Sequence, residues 1–234
     1  MRQLSSLTRL QRLSLVNAEV ESEELGFLAS MPSVTYLRME SCDAPPQGLG
    51  GMTWLRHLEL ANTPDCHYRA VEWDMLAVWA AQLEAELAPL THLTFLELSD
   101  LDYYCPRWPD AVAGLAELHT LVSQTLDKAL LPPGPYLDSL RRVVLPMEGA
   151  AANVRVLTRA AQLATLELTT WCWPADQLAL EAAQPFLVVL WWAGRYPSLR
   201  QLRLPLRGEP MLSYLLDAVE AAQRANPALQ IITD

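Results

Sequence analysis

The sequence predicts an α/β solenoid of about nine repeated units, with short parallel strands on one face and helices on the other. The first supporting observation is that the pattern L-x-x-L-x-L, where L is any aliphatic residue, recurs along nearly all of the 234 residues. The second is that successive copies begin about 21 to 38 residues apart, and the third is that the longer intervals contain amphipathic helical patterns. Seven clear copies begin at Leu10, Val34, Leu55, Leu93, Leu140, Leu163 and Leu199, and two weaker copies begin at Leu118 and Leu229.

The spacing inside each copy predicts a strand between two turns. In LTHLTFLELSDL, residues 90–101, the leucines follow one another at intervals of three, three, two and three. A helix alone would keep intervals of three and four, and a half-buried strand alone would keep intervals of two. The two residues of L-x-L therefore point inward from a short strand, and the flanking leucines lie where the chain turns. The weaker copies end in Ser123 and Asp234, so their strands are expected to be less regular.

This pattern resembles the leucine-rich repeat family over nearly the whole chain, because most intervals fall within the roughly 20 to 29 residues of that family. The resemblance implies a horseshoe with strands on its concave face and helices on its convex face. Of the positions three beyond each L-x-L, which the family usually fills with Asn or Cys, only Cys42 matches. The chain is therefore more similar to irregular intracellular repeats of the F-box-associated and plant or algal type. We expect one domain over residues 1–234, complete or part of a longer chain.

The segments between the strands predict helices. Residues 21–30 form a short helix with Ser22 as its cap, and residues 70–87 form a longer helix. The apolar stripe of the longer helix comprises Leu76, Trp79, Ala80, Leu83 and Leu87, and its other side carries Val71, Met75 and Val78. That other side is a second candidate partner surface, unless the loop around residues 105–109 covers it.

Two helices are expected in the second long interval, residues 176–183 and 186–193, separated by Pro185. Trp191 and Trp192 are assigned to the core, and Gly194 is expected to end the helix in the left-handed conformation. The last helix carries an apolar stripe and stops at Asn226 and Pro227. That stripe is formed by Leu212, Leu215, Leu216 and Val219.

The composition of the chain argues against several classes of function. The net charge of −10 and the absence of a Lys/Arg run argue against nucleic-acid binding, and no apolar stretch is long enough to cross a membrane. The start of the chain lacks the apolar core of a secretory signal. The cysteines are scattered without a close pair, which favours a reduced protein in the cytoplasm or nucleus and argues against a metal site. We expect no cofactor.

Side chains that alternate with the inward leucines face outward from the strands and are candidates for binding. In the N-terminal half they place three aromatic rings beside three carboxylates, which suits a basic segment of a partner protein. The residues predicted to bind it are Tyr36, Arg38, Glu40, His57, Glu59, Phe95 and Glu97. The alternative is an unused sheet face carrying ordinary strand residues. The 38-residue interval after Leu55 is a place where the sheet could break between Glu59 and Glu97.

Other functions receive less support. No catalytic or phosphate-binding motif is present, and His57 with Glu59 is the only pair that has conceivable acid–base geometry, so a hydrolase is a remote alternative. The family resemblance alone suggests a second alternative, the substrate-recognition part of a ubiquitin ligase. The first and last units have no polar cap, which predicts bare apolar ends that self-associate or are covered by further chain.

Overall fold

A computed structural model describes residues 8–16, 22–40, 47–61, 73–99, 107–126, 129–169, 180–205 and 213–233. These residues contain a single parallel sheet whose nine strands lie side by side in the order of the sequence. The strands are β1 (Arg12–Val16), β2 (Tyr36–Glu40), β3 (His57–Ala61), β4 (Phe95–Ser99), β5 (Thr120–Val122), β6 (Arg142–Pro146), β7 (Thr165–Thr169), β8 (Gln201–Leu204) and β9 (Gln230–Thr233). The α/β class predicted from the sequence is confirmed, with one strand for each predicted unit.

Helical segments connect the strands. Four are α-helices: α1 (Trp73–Leu87), α2 (Met147–Leu157), α3 (Leu180–Ala193) and α4 (Ser213–Ala225). Four shorter connections are 3-10 helices, namely Ser22–Ser30, Leu49–Gly51, Asp110–Gly114 and Pro135–Asp138. The helix predicted over residues 21–30 is therefore present, in the tighter 3-10 form.

The same hydrogen-bonded joint connects successive units. In the first joint, the backbone carbonyl of Gln11 accepts the N–H groups of Thr35 at 2.9 Å and Tyr36 at 3.1 Å. The equivalent carbonyl accepts two N–H groups from the following unit at Thr35, Arg56, Thr94, His119, Arg141 and Ala164. Because this geometry recurs although the intervals differ, the variation in length is taken up between the joints.

The sheet is continuous across the 38-residue interval. The backbone carbonyl of Arg56 accepts the N–H groups of Thr94 and Phe95, and Glu59 lies beside Glu97 in register. The break considered from the sequence therefore does not occur. Of this interval the structure describes the helix α1, whose 15 residues rise only about 1.5 Å each.

The core consists of the inward side chains of the strands and the leucines of the adjoining turns. Seven inward residues are fully buried: Leu37, Leu58, Leu96, Leu121, Val143, Leu166 and Leu202. Burying each such side chain stabilises the fold by about 1.5–3 kcal/mol. They form one cluster with residues of the turns and helices, so the core runs continuously from the first described unit to the last.

The two weaker units depart from the regular pattern. The strand β5 ends at Val122. The next residue, Ser123, still donates its backbone N–H to the carbonyl of Val144 at 2.9 Å, and its buried hydroxyl accepts the N–H of Leu126 at 3.2 Å, which stabilises a turn. In the last unit, Ile231 pairs with Leu202, whereas the sequence alignment assigned that inward position to Ile232. The assignment was wrong by one residue, because two consecutive isoleucines fit either face and a slip by one exchanges the faces.

Three predictions about the second long interval were wrong. Pro185 lies inside one continuous helix, α3, where it removes one backbone hydrogen bond, and the burial of Phe186, Val189 and Leu190 in the core offsets that loss. Trp191 is 62% exposed rather than buried, whereas Trp192 is buried and donates its indole N–H to the Thr158 hydroxyl at 2.9 Å. Gly194 has no left-handed conformation. Its lack of a side chain instead permits a close approach, because a Cβ there would lie 2.9 Å from the Cα of Ala222 in α4.

The last helix ends as predicted, at Ala225, directly before Asn226. The side-chain amide of Asn226 is buried and donates to the backbone carbonyls of Tyr196 at 3.0 Å and Leu199 at 3.2 Å in the preceding unit. Leu215 of the predicted stripe is buried, but Leu216 is 47% exposed, so the buried face of α4 is narrower than predicted.

The helix α1 packs with Ala80, Leu83 and Leu87 of its predicted stripe towards the core. Its Glu86 accepts the N–H groups of Gly48 at 2.9 Å and Gly50 at 2.5 Å, which fixes the helix to the loop before β3. On its other side Val78 is 58% exposed, as the second candidate surface requires. Some predicted positions lie outside the described part of the chain. These are the side chains of Met75, Leu76 and Trp79, and the residues Val71, Leu212, Asp234 and all four cysteines.

Candidate functional site

The outward side chains of the strands form the open face of the sheet, which is the face opposite the buried leucines. The parallel register brings the seven predicted binding residues together on β2, β3 and β4. Tyr36, His57 and Phe95 lie side by side in one row, and Arg38, Glu59 and Glu97 in the next. We call these residues, with Glu40, the N-terminal patch.

The three rings of the N-terminal patch form a stack. The centroids of Tyr36 and His57 are 4.3 Å apart with planes inclined by 23°, and those of His57 and Phe95 are 3.8 Å apart with planes inclined by 9°. At the β1 end, the guanidinium of Arg12 lies 4.2 Å from the centroid of Tyr36. The ring faces between Arg12 and Phe95 are therefore occupied within the chain. Arg12 was missing from the predicted site, although it lies in the same outward row of the sequence.

Glu59 is the acceptor at the centre of the N-terminal patch. One of its carboxylate oxygens accepts the hydroxyl of Tyr36 at 2.9 Å and lies 2.7 Å from Nε2 of His57, and the other lies 3.6 Å from Nε of Arg38. The Glu59 side chain is only 16% exposed. Burial, followed by the hydrogen bond to Glu59, raises the pKa of Tyr36 above its usual value. Arg38 also pairs with Glu40 at 2.5 Å, so Glu40 and Glu59 share one guanidinium.

Glu97 has different surroundings. Burial raises the pKa of its carboxyl group, opposed by a hydrogen bond from the Ser99 hydroxyl at 3.0 Å, while the neighbouring charge of Glu59 raises the pKa further. Among the described residues, none forms an ion pair with Glu97. Glu97 is therefore a partly desolvated carboxylate that forms no ion pair with the described residues, although the charges of Arg38 and His57 lower its pKa from a distance. Ser99, which is buried, is a second residue that the predicted site lacked.

The open face is divided in its middle. Val122 of β5 and Val144 of β6 are outward residues, yet they are only 7% and 5% exposed. On β6 to β8, Arg142 pairs with Glu167 at 2.9 Å, and Arg203 is exposed. In the row of Val122 and Val144, the N-terminal patch is therefore separate from a C-terminal patch that has its own ion pair, whereas in the row of the rings the partly exposed Thr120 lies between Phe95 and Arg142.

His57 and Glu59, the pair considered for acid–base chemistry, are in contact. Nε2 of His57 lies 2.7 Å from a carboxylate oxygen of Glu59, and the imidazole ring is enclosed between Tyr36 and Phe95. Among the described residues, no serine, threonine or cysteine is hydrogen-bonded to His57 or Glu59 that could act as an activated nucleophile. No group of three or more metal-ligating side chains is found in this part of the chain either.

A second polar cluster lies at residues that precede the strands. Glu117 accepts from Nη1 of Arg56 at 2.5 Å and lies 2.9 Å from Nδ1 of His92. His92, followed by Arg56, lowers the pKa of Glu117 through hydrogen bonds that favour the carboxylate. All three side chains are about half exposed, and they join three successive units by their surfaces.

The fold and the site together define an α/β protein of repeated strand units that carries a polar and aromatic patch on its open face. Neither a known protein family nor a curated protein sequence matches the chain. Within the described residues, no helix combines the length and the apolar character that are needed to cross a membrane.

Proposed function

We propose that this chain is a leucine-rich repeat protein that acts as a protein-interaction module. The recurring joint between units, the nine parallel strands in sequence order and the buried L-x-L residues support the leucine-rich repeat assignment. In this proposal the open face is the concave face of a horseshoe. The scattered cysteines favour a site of action in the cytoplasm or nucleus.

The proposed binding site is the N-terminal patch, and its ligand is a basic segment of a partner protein. The observation that carries this proposal is the partly buried carboxylate of Glu97, which has no cation of its own among the described residues. A buried charge without a partner costs free energy, and a partner's cation would offset that cost on binding. Glu40 and Glu59 already interact with Arg38, so they contribute mainly by holding the patch in place.

Binding rather than catalysis is the proposed activity of the patch. The aromatic rings are held rigidly by stacking, so little conformational entropy is lost when a partner covers them. The imidazole of His57, by contrast, is engaged by Glu59 and enclosed by two rings, which leaves it poorly placed to exchange protons with a substrate.

Site-specific photo-crosslinking tests the proposal. A photoreactive amino acid replaces Ser14, which is exposed on the open face beside Arg38, and in a control chain it replaces Ala152, which is exposed on α2. We expect a partner protein to be crosslinked from position 14 and not from position 152. Adding Glu97→Gln and Phe95→Leu should abolish the product, whereas Glu167→Gln in the C-terminal patch should leave it unchanged. Equal crosslinking from both positions, or a product that persists in the double variant, would reject the N-terminal patch.

A further inference from the structure

The aromatic stack has two ends, and the chain itself shows what binds at one of them. At the β1 end, the guanidinium of Arg12 lies over the face of Tyr36 at 4.2 Å from the centroid. A guanidinium over an aromatic face is attracted by the negative potential of the ring and is favoured over an ammonium for such planar contacts.

At the other end of the stack, the described residues place no such group over the ring. One face of Phe95 is covered by His57, and the register places Thr120 of β5 on the side of the second face. Among the described residues, His57 is the only ring that stacks on Phe95. Threonine is too short to cover a phenyl ring, and both Phe95 and Thr120 are partly exposed. In the part of the chain that the structure describes, no cation therefore lies over this face of the terminal ring.

A carboxylate lies next to this face. Glu97 follows Phe95 by two residues on the same strand and on the same side of the sheet, which corresponds to about 7 Å along the strand. The Ser99 hydroxyl donates a hydrogen bond to Oε1 of Glu97, and no described residue donates one to Oε2. Burial is the main cause that raises the pKa of this carboxyl group, and the more distant charges of Arg38 and His57 oppose it. The guanidinium of Arg38 pairs with Glu40 and Glu59 instead of forming an ion pair with Glu97.

We propose that the partner inserts an arginine whose guanidinium stacks on the free face of Phe95 and donates hydrogen bonds to Oε2 of Glu97. The proposal rests on the proposed protein-binding function and specifies its ligand. A planar guanidinium can contact the ring with its face and the carboxylate with its edge at the same time. An ammonium group, which has no flat face, can satisfy only the charge. The site should therefore prefer arginine to lysine.

Three short peptides test this preference directly: acetyl-Gly-Arg-Gly-amide, the same peptide with lysine, and the same peptide with citrulline, which has the shape of arginine without its charge. Binding is measured by nuclear magnetic resonance shifts of the β4 and β5 amides as peptide is added. We expect the arginine peptide to bind about fivefold to tenfold more tightly than the citrulline peptide, and measurably more tightly than the lysine peptide.

The variants separate the two contacts. Glu97→Gln should weaken the binding of the arginine peptide by roughly tenfold, so that its affinity is close to that of the citrulline peptide. Phe95→Leu should remove the preference for arginine over lysine while keeping the preference for charge. Glu167→Gln is the matched control, since its carboxylate on the same face is already paired with Arg142, and it should have no effect on the β4 and β5 shifts.

Two results would overturn the inference. One is equal affinity of wild-type chain for the arginine and citrulline peptides, and the other is the absence of any shift up to about 10 mM peptide, since even a weak specific contact would be visible there. Either result, combined with a partner crosslinked at position 14, would reject the arginine and leave the binding function in place. The loss of both the peptide shifts and the crosslinked partner would reject the site itself.

Discussion

Replacing the two neighbouring carboxylates Glu59 and Glu97 by amides should change stability in opposite directions. Glu59→Gln keeps the size and one acceptor oxygen but removes the charge that accepts from Tyr36 and contacts His57. A hydrogen bond to a charged group contributes about 1.5–3 kcal/mol and a neutral one about 0.5–1.5 kcal/mol, so each of the two contacts loses about 1 kcal/mol. The exposed ion pair with Arg38 adds little. We expect the free energy of unfolding to fall by about 1–2 kcal/mol.

Glu97→Gln should instead leave the free energy of unfolding unchanged or raise it at pH 7. The amide oxygen can still accept the Ser99 hydroxyl, while the cost of burying a charge disappears. The assay is urea unfolding followed by circular dichroism, with equal slopes in urea required before the variants are compared. A fall for Glu97→Gln as large as that for Glu59→Gln would refute the reasoning, because it would mean that Glu97 is a structural carboxylate with a partner inside the fold.

The effect of Glu97→Gln should also depend on pH in a defined direction. Burial raises the folded pKa of Glu97 above its ordinary value of 4.5. Above the folded pKa the carboxylate is charged in both states, and the cost of burial is fully present. As the pH falls through the folded pKa towards 4.5, the native state binds the proton first and the cost is relieved. The advantage of the variant should therefore be largest at neutral pH and vanish near pH 4.5; an advantage that grows on acidification would contradict this.

Two further predictions concern the core. Tyr136→Phe should raise the free energy of unfolding by about 1 kcal/mol, because the buried hydroxyl of Tyr136 has no hydrogen-bond partner among the described residues. Tyr196→Phe should lower the free energy of unfolding by about 1 kcal/mol, because the hydroxyl of Tyr196 donates to a backbone carbonyl. Chemical unfolding of both variants checks this, and a loss in Tyr136→Phe would show that the hydroxyl is bonded. Gly194→Ala should lower the melting temperature and reduce the free energy of unfolding by about 1–3 kcal/mol, because its Cβ would press on Ala222. Gly114→Ala is the control, because nothing lies within 4 Å of its Cβ. Equal melting temperatures of the two variants would contradict the close approach of Gly194 to Ala222.

The repeat pattern was sufficient to predict the strands and which of their side chains face outward on β2, β3 and β4. The alternation of Leu96 and Leu98 with Phe95 and Glu97 assigned the former to the core and the latter to the open face, and the structure places them so. This prediction of the outward side chains was correct because alternation along a strand is a local property of each unit's own residues. It failed at Ile231, where two consecutive isoleucines fit either face.

Helix boundaries were less predictable than strands. Pro185 was expected to separate two helices, but the helix continues through it, because the burial of the α3 side chains that follow it offsets the lost hydrogen bond. Trp191 was assigned to the core on its apolar character alone, although Trp192 fills that position and Arg195 lies over the exposed ring of Trp191. Which of two adjacent tryptophans is buried depends on the neighbouring helix, and one segment of sequence does not contain that information.

The sequence by itself determined that Tyr36, Arg38, Glu59, Phe95 and Glu97 would be outward residues of successive strands. Only the tertiary structure decided that β3 and β4 pair across the 38-residue interval and that the rings stack. It also decided that Glu59 is in contact with Tyr36, His57 and Arg38, whereas Glu97 accepts only from Ser99 among the described residues. The physical reason is that facing is set by alternation along one strand, whereas hydrogen bonds, stacking and desolvation depend on distances of a few ångströms between strands that are far apart in the sequence.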